Sequence, residues 1–300
     1  RGHEQVVAAK RTTAPLAGFL ELKLNEITAE RVRAWMDENA AQRPTFTGNA
    51  FRKLRAFINW CNDDAQKRFN GLIDPNVCGR RIARDLPKAK PKTGSLQREQ
   101  LAVWFAEVRK LSNPVIANYL QILLLTGARA GELCAARWDD FRLDGDMPQW
   151  TIPKTVSKNG IAHAIPLGPT ALTLLGDLHK MTGDTEYVMP AGDKLMASKR
   201  TKPRKRPPTA HLDSHAIAVA LRRCHKHGKI PDVAPFSAHD LRRTMRTGLV
   251  RLGISTELAE RVIGHKPRNA LVRTYDLYDR LPERRRALID WDREVQRIIA

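Results

Sequence analysis

The first seventy residues carry two apolar stripes with helical spacing. The first contains Val32, Trp35 and Met36, and the second contains Phe51, Leu54, Phe57, Ile58 and Cys61. Apolar residues three and four positions apart lie on one face of a helix, so the pattern predicts amphipathic helices between residues 25 and 69. We expect a small helical bundle with a basic, solvated outer face.

The pattern breaks between Pro87 and Gly94, where two prolines, a glycine and three lysines follow one another closely. Proline interrupts a helix and neighbouring lysines repel each other, so this stretch predicts a boundary. We expect a helical domain over residues 1–89, a linker over 90–95 and a second domain over 96–300.

The second domain begins with two predicted helices, over residues 101–111 and 115–125, the latter ending at a capping Gly127. Residues 150–153 and 161–166 predict two antiparallel strands joined by a turn that carries Lys158. The remainder is mainly helical. The predicted fold class is therefore mainly α with a small antiparallel β-sheet, in an α+β second domain.

Composition adds a large positive charge to this picture. Lys and Arg total 52 against 32 Asp and Glu, a formal net charge of +20. Such an excess favours a polyanionic partner, because each neutralised phosphate releases counterions. The longest apolar run, residues 122–125, is too short to cross a bilayer, and no leader-like segment opens the chain, so we expect an intracellular protein with no membrane partner.

Four cysteines, at positions 61, 78, 134 and 224, are scattered without metal-ligand spacing. We expect free, partly buried thiols and no disulfide framework. His211 and His215, or the Cys224 segment, lack a complete zinc ligand set, and the adjacent pairs Asp63–Asp64 and Asp139–Asp140 diverge, so no metal site is predicted.

Two short motifs suggest phosphate chemistry. Ser237 and Asp240 have capping-box spacing, which places His239 and Arg242 on one face near the start of a helix. Arg129 lies in a turn of small residues between two helices, where a phosphate can approach closely. Arg129 can equally pair with Glu132 to close the turn, and both roles can hold together.

A third motif, Gly264–His265, is followed ten positions later by Tyr275. At this point the chain resembles the tyrosine recombinases, or phage integrases, whose catalytic residues occur in the order found here: Arg129, Lys158, His239, Arg242, His265 and Tyr275. The resemblance covers roughly residues 96–291, and the preceding helical segment resembles the core-binding domain of that family. The C-terminal sequence is similar to integrases of satellite phages and genomic islands, which commonly carry a further N-terminal arm-binding domain. Because the sequence starts at Arg1, such a module can precede it.

The resemblance implies site-specific DNA cutting and rejoining, for integration or excision of a mobile element, without metal, ATP or other cofactor. Tyr275 would form a 3′-phosphotyrosyl bond, and Arg129 and Arg242 would clamp the phosphate. Lys158 would protonate the leaving oxygen, His239 would accept the phenolic proton and His265 would donate a hydrogen bond. Lys154 is the alternative lysine. Tyr278 is the alternative phenol, expected to be a structural residue on the helix of Tyr275.

The resemblance implies double-stranded DNA attachment sites and three further copies of the chain, assembled on DNA, as partners. An accessory DNA-bending protein is a further candidate partner, and the expected location is the bacterial cytoplasm, at the nucleoid. Candidate DNA-binding residues outside the catalytic set are basic: Arg52, Lys53, Arg55, Lys202, Arg204, Arg243 and Lys266.

Two other functions stay open. Residues 248–259 have the helix, glycine turn and helix pattern of a helix-turn-helix, which suits a non-catalytic DNA-binding regulator. A type IB topoisomerase uses nearly the same catalytic residues to relax supercoiled DNA without choosing a site.

Overall fold

The computed structural model describes residues 5–7, 10–12, 14–66, 69–86, 94–191, 210–230, 232–265 and 278–300. The chain divides into two units, Arg1–Lys92 and Thr93–Ala300. Within the described ranges, no helix combines the length and apolar character that a bilayer crossing requires.

The first unit is built mainly from two helices, α1 (Ala29–Ala40) and α2 (Pro44–Cys61), with a short α3 (Arg80–Ala83). Before them, strands β1 (Gln5–Val7) and β2 (Lys10–Thr12) form an antiparallel hairpin that the apolar pattern had not predicted. Single 3-10 turns lie at Ala17–Phe19, Leu24–Glu26, Asp64–Gln66 and Pro75–Cys78.

The core of this unit follows the predicted stripes with one exception. Val32, Met36, Phe51 and Ile58 are at most 2% exposed, and they pack together with residues of the Pro75–Cys78 turn. Phe57 was predicted to share this buried stripe, but it is 42% exposed. Successive helical residues are about 100° apart, so Phe57 lies about 100° from Ile58 and faces outwards.

The second unit contains eight described helices and a small sheet. The helices are α4 (Arg98–Arg109), α5 (Pro114–Thr126), α6 (Ala130–Cys134), α7 (Pro169–Thr182), α8 (Ser214–Lys226), α9 (Ala238–Arg251), α10 (Thr256–Val262) and α11 (Leu281–Ile299). The predicted helices over 101–111 and 115–125 correspond to α4 and α5. A 3-10 turn spans Trp138–Asp140.

The sheet has three antiparallel strands in the order β3 (Phe141–Arg142), β4 (Gln149–Ile152) and β5 (His163–Pro166). Trp150 lies opposite Ile165 on one side and Phe141 on the other. Strands β4 and β5 confirm the predicted pair. The two-residue β3 is too short to give an alternating pattern, and the sequence did not predict it.

Helix α5 is the centre of the second core. Ten of its thirteen residues are buried, and α4, α7, α9 and α11 all pack against it. Asn113 caps its first turn by accepting from Val115 N at 3.0 Å, and Gly127 ends it at φ +62°, as predicted for a left-handed cap. The described structure confirms the mainly helical fold class with a small antiparallel sheet.

Candidate active site

Arg129 begins α6 and is held by a carboxylate one turn later. Its backbone N donates to Glu132 Oε2 at 3.1 Å, and its Nη1 donates to Glu132 Oε1 at 2.8 Å. The Glu132 side chain is 5% exposed, whereas that of Arg129 is 22% exposed. The pairing therefore closes the turn and also leaves part of the guanidinium accessible.

Arg242 reaches the same turn from α9. The predicted capping box is present, with Ser237 N donating to Asp240 Oδ2 at 2.9 Å, and it starts α9 so that Arg242 falls in the second turn. Arg242 is 4% exposed; its Nη1 donates to Gly127 O at 2.6 Å and its Nη2 donates to Ile263 O. One buried guanidinium thus joins the turn before Arg129 to the turn before His265.

Burial, followed by the neighbouring positive charge of Arg129, lowers the pKa of Arg242 to about 10, and the charges of Glu132 and Glu260 oppose this shift. A pKa near 10 leaves the guanidinium protonated at neutral pH. The two positive charges of Arg129 and Arg242 therefore lie close together in a partly dehydrated environment. A bound phosphate anion would offset the electrostatic repulsion between them.

His239 lies on the first turn of α9 and is more exposed than Arg242. Partial burial of the ring lowers its pKa, and Arg243, Arg242 and His265 lower it further. These neighbours place His239 within electrostatic range of the arginine and of the second histidine. A lowered pKa favours the neutral imidazole, which can accept a proton.

His265 follows α10 through Gly264, whose φ is +68°. The Nδ1 of His265 forms a hydrogen bond with Glu260 Oε2, and Glu260 Oε1 accepts from Arg246 Nε at 3.0 Å. Burial opposes ionisation of Glu260, but the bonds from His265 and Arg246 outweigh it and lower the pKa of the carboxyl. The carboxylate therefore fixes the orientation of the His265 ring.

Lys158 lies in the loop between β4 and β5 and is exposed. Its backbone N is 3.5 Å from Glu132 Oε1, and the next residue, Asn159, donates from Nδ2 to Gly264 O at 2.9 Å. The loop thus contacts both the Arg129 turn and the His265 turn. Lys154, also in this loop, is exposed as well.

A cavity of about 180 Å³ opens between these segments. Its lining includes Arg129, Glu132, Ser157, Asn159 and His265. The structure therefore brings together Arg129, Arg242, His239 and His265 with the backbone of the loop that carries Lys158.

The predicted nucleophile Tyr275 lies outside the described residues, as do Lys266, Lys202 and Arg204. Tyr278 lies in irregular backbone, not in the helix that we expected, and is 56% exposed. Its hydroxyl donates to Glu283 Oε2 at 3.1 Å, and this bond raises the pKa of the phenol.

The other predicted DNA-binding residues are distributed over both units. Arg52 and Lys53 are exposed on α2, and Arg55 is half-buried. Arg52 donates from Nη1 to Asn49 Oδ1 at 2.7 Å, and Arg243 pairs with Asp240 at 3.1 Å. Arg52 and Lys53 point about 100° apart, so the α2 cations do not form a single narrow stripe.

Sequence reasoning missed three side chains that hold this site together: Glu260, His163 and Arg284. Glu260 lies five residues before His265, a local spacing that could have suggested a pair. His163 and Arg284 meet across 121 residues of sequence, and no local pattern indicates that contact. Over the described residues, no cluster of three or more His, Cys, Asp or Glu has a metal-binding arrangement.

Comparison with known proteins identifies the families that the two parts of the chain match. Residues 1–85 match the phage integrase core-binding domain, and residues 97–279 match the phage integrase family. The chain is 32% identical to the prophage integrase IntF of Escherichia coli K12 over 258 residues, covering 85% of this chain and 51% of that protein. It is 28% identical to the integrase of Enterobacteria phage P4, covering 57% of this chain and 38% of that protein. The chain thus spans about half the length, or less, of these relatives.

Solved structures share the fold at low identity. A lambda integrase fragment, in a dimer bound to a COC′ core site, superposes with a TM-score of 0.57 at 20% identity, covering 87% of this chain and 83% of that one. The Tn1549 transposon integrase, in complex with a circular intermediate DNA, gives 0.59 at 14% identity, covering 81% and 79%. With the family model matched over residues 97–279, well over half of the sequence, the chain belongs to the phage integrase family.

Proposed function

We propose that this chain is a site-specific DNA recombinase of the tyrosine type, which cuts and rejoins DNA for integration or excision of a mobile element. The observation that carries the proposal is the position of Arg242, which hydrogen-bonds the turns of Arg129 and His265 at once. Arg129 and His265 line one cavity, Arg242 joins the turns that carry them, and His239 lies within electrostatic range of Arg242 and His265. Such a set suits charge neutralisation on a phosphodiester and proton transfer around it.

In the proposed reaction, the phenolic oxygen of Tyr275 attacks the scissile phosphorus, the bond to the 5′ oxygen breaks, and a 3′-phosphotyrosyl bond forms. Arg129 and Arg242 neutralise the non-bridging oxygens, and His265 donates a hydrogen bond to one of them. Lys158 transfers a proton to the leaving 5′ oxygen. His239, whose pKa is lowered, accepts the phenolic proton. A second DNA end reverses the steps, so the bond energy is kept without ATP.

The proposed partners are double-stranded attachment sites and a homotetramer assembled on DNA, with an accessory DNA-bending protein where a site needs one. Residues 1–89 would form the core-binding domain, 90–95 the linker and 96–300 the catalytic domain, acting at the bacterial nucleoid. Arg52, Lys53, Arg55 and Arg243, together with Lys202, Arg204 and Lys266, would contact the DNA backbone. Phosphate contacts of this kind set affinity and register.

A library of nicked suicide duplexes of random sequence tests the proposal. The nick releases a short strand after cleavage, which traps the covalent complex. We expect the wild-type chain to form a denaturation-resistant adduct with a restricted set of sequences, and Tyr275→Phe to form none. Tyr278→Phe is the matched control, because the Tyr278 hydroxyl donates to Glu283, which is not one of the proposed catalytic residues, and this variant should form the adduct normally.

Two outcomes would favour the other functions. Tight DNA binding by the wild-type chain with no adduct would indicate a DNA-binding regulator. The helix-turn-helix pattern does exist in the fold, where α9 and α10 are joined by a turn with Gly253 at φ +82°. Relaxation of any supercoiled plasmid without strand exchange between recovered sites would indicate a topoisomerase.

A further inference from the structure

His163, at the start of β5, uses both ring nitrogens although the proposed reaction gives it no role. Nε2 lies 3.1 Å from Val262 O, and Nδ1 lies 3.3 Å from Arg284 Nη1. A carbonyl oxygen only accepts and a guanidinium only donates, so Nε2 carries the proton and Nδ1 accepts. Burial lowers the pKa of His163 to about 4, with Arg284 adding to the shift, which keeps this neutral tautomer at neutral pH.

The ring also packs against the turn that presents His265. A side chain on Gly264 would place its Cβ 3.1 Å from the Cδ2 atom of His163. Asn159, four residues before His163, holds the carbonyl of the same glycine. The loop that carries Lys158 is therefore fixed to the His265 turn near its tip by Asn159 and at its base by His163.

Arg284 completes this arrangement from α11. It is 2% exposed; its Nη1 donates to Ala164 O at 2.8 Å and its Nη2 to Asp279 Oδ2 at 2.6 Å. The same guanidinium thus contacts the backbone of β5 and the ring of His163. These two bonds from Nη1 and Nη2 fix the guanidinium against the backbone of β5.

We propose that His163, supported by Arg284, is a positioning residue that sets the place of Lys158 relative to the His265 turn. The inference rests on the proposed function and adds a residue to it. The hydrogen bond that holds the Arg129 turn does not involve His163, because Arg242 bonds the backbone of that turn directly at Gly127. Loss of His163 should therefore disturb delivery of the proton to the leaving oxygen more than neutralisation of the phosphate.

A change of leaving group separates these two effects. In a duplex with a 5′-bridging phosphorothiolate, sulfur replaces the leaving oxygen, and a thiol of pKa about 8.5 leaves without protonation. The duplex would carry a sequence recovered from the wild-type covalent complex. Single-turnover adduct formation is then measured on the oxygen and the sulfur substrates for each variant.

We expect His163→Ala to cleave the oxygen substrate about 10- to 100-fold more slowly than wild type, as for other losses of a side chain that orients a reacting group. On the sulfur substrate its rate should be within about 3-fold of wild type, and Lys158→Ala should show the same recovery, because only proton donation is bypassed. His163→Gln, whose amide nitrogen can replace Nε2, should keep most of the oxygen-substrate rate. Arg284→Lys should also slow cleavage of the oxygen substrate more than that of the sulfur substrate, but by a smaller factor than His163→Ala.

Two exposed residues outside the site provide control variants. His215→Gln changes an exposed histidine of α8, and Arg293→Ala changes an exposed arginine of α11. Both variants should cleave the two substrates at the wild-type rate. An equal loss for His163→Ala and His163→Gln on both substrates would overturn the positioning role while leaving the recombinase proposal intact. Failure of the wild-type chain to form any adduct would instead overturn the proposed function.

Discussion

Arg242 Nη1 donates a hydrogen bond to the carbonyl oxygen of Gly127 over 2.6 Å. Gly127 ends α5 two residues before Arg129, so this bond fixes one candidate phosphate ligand to the backbone that presents the other. A guanidinium that is already oriented loses less conformational freedom when a phosphate binds, which is the advantage of preorganised charge.

We expect Gly127→Ala to lower the free energy of unfolding by about 1–3 kcal/mol, because an L side chain is strained in this conformation. The residue has φ +62°, and an added Cβ would lie 2.9 Å from Met245 Sδ and 3.1 Å from Ile263 Cγ2. Urea denaturation measures the change. Gly131→Ala is the control: no atom lies within 4 Å of its added Cβ in α6, and stability should stay level or rise. Equal losses for both variants would contradict the explanation.

Arg242→Lys should slow adduct formation by about 10²- to 10³-fold, because lysine keeps the charge but cannot bond two carbonyl oxygens in a fixed fork. Single-turnover rates on the suicide duplex measure this. Arg223→Lys, an exposed change on α8, is the matched control. A variant that folds normally and cleaves as fast as wild type would show that Arg242 has only a structural role.

Glu260→Gln should lower the free energy of unfolding by about 1 kcal/mol near neutral pH, the modest value expected for charge-assisted hydrogen bonds in a partly exposed place. The folded pKa of Glu260 is below its ordinary value of 4.5. Its stabilisation is therefore complete above the unfolded pKa and disappears as pH falls through the folded pKa. Urea curves from neutral pH into this acidic range should show wild type and variant converging. A gap that stays constant with pH would argue against an ionised Glu260.

His163 should make wild-type stability fall as the pH drops below 6.5. The unfolded chain then binds a proton that the folded ring accepts only near pH 4. The unfolded state holds more protons in this window, so unfolding is favoured by up to about 3 kcal/mol across it. Denaturation at a series of pH values should show that His163→Gln lacks this component of the slope, whereas His215→Gln retains it. Identical slopes for wild type and His163→Gln would refute the assignment.

Local signals explain what the sequence predicted well. The Gly127 cap and the Ser237–Asp240 capping box depend on residues within a few positions, and both are present in the structure. The alternation in 150–153 and 161–166 likewise located β4 and β5. Such local signals and the family resemblance selected the catalytic candidates. Among those in the described residues, Arg129, Arg242, His239 and His265 lie near one another.

Long-range contacts explain what the sequence could not predict. Arg242 meets Gly127 across 115 residues, and Arg284 meets Ala164 across 120. The spacing of apolar residues along the sequence does not predict which distant carbonyl oxygen a buried guanidinium will bond, because that partner is determined by tertiary packing. Apolar spacing is also insufficient to predict burial at the edge of a stripe. Phe57 has such a position in the sequence, yet its aromatic side chain is exposed.

The indole of Trp291 sits against Gly248 and donates from Nε1 to Leu124 O at 3.0 Å. Through Trp291, helix α11 thus packs against both α5 and α9. During synthesis, the second unit therefore lacks this contact until α11 has been made. A chain terminated before Trp291 would leave this part of α5 and α9 uncovered, and we expect such a truncated chain to be degraded by proteases.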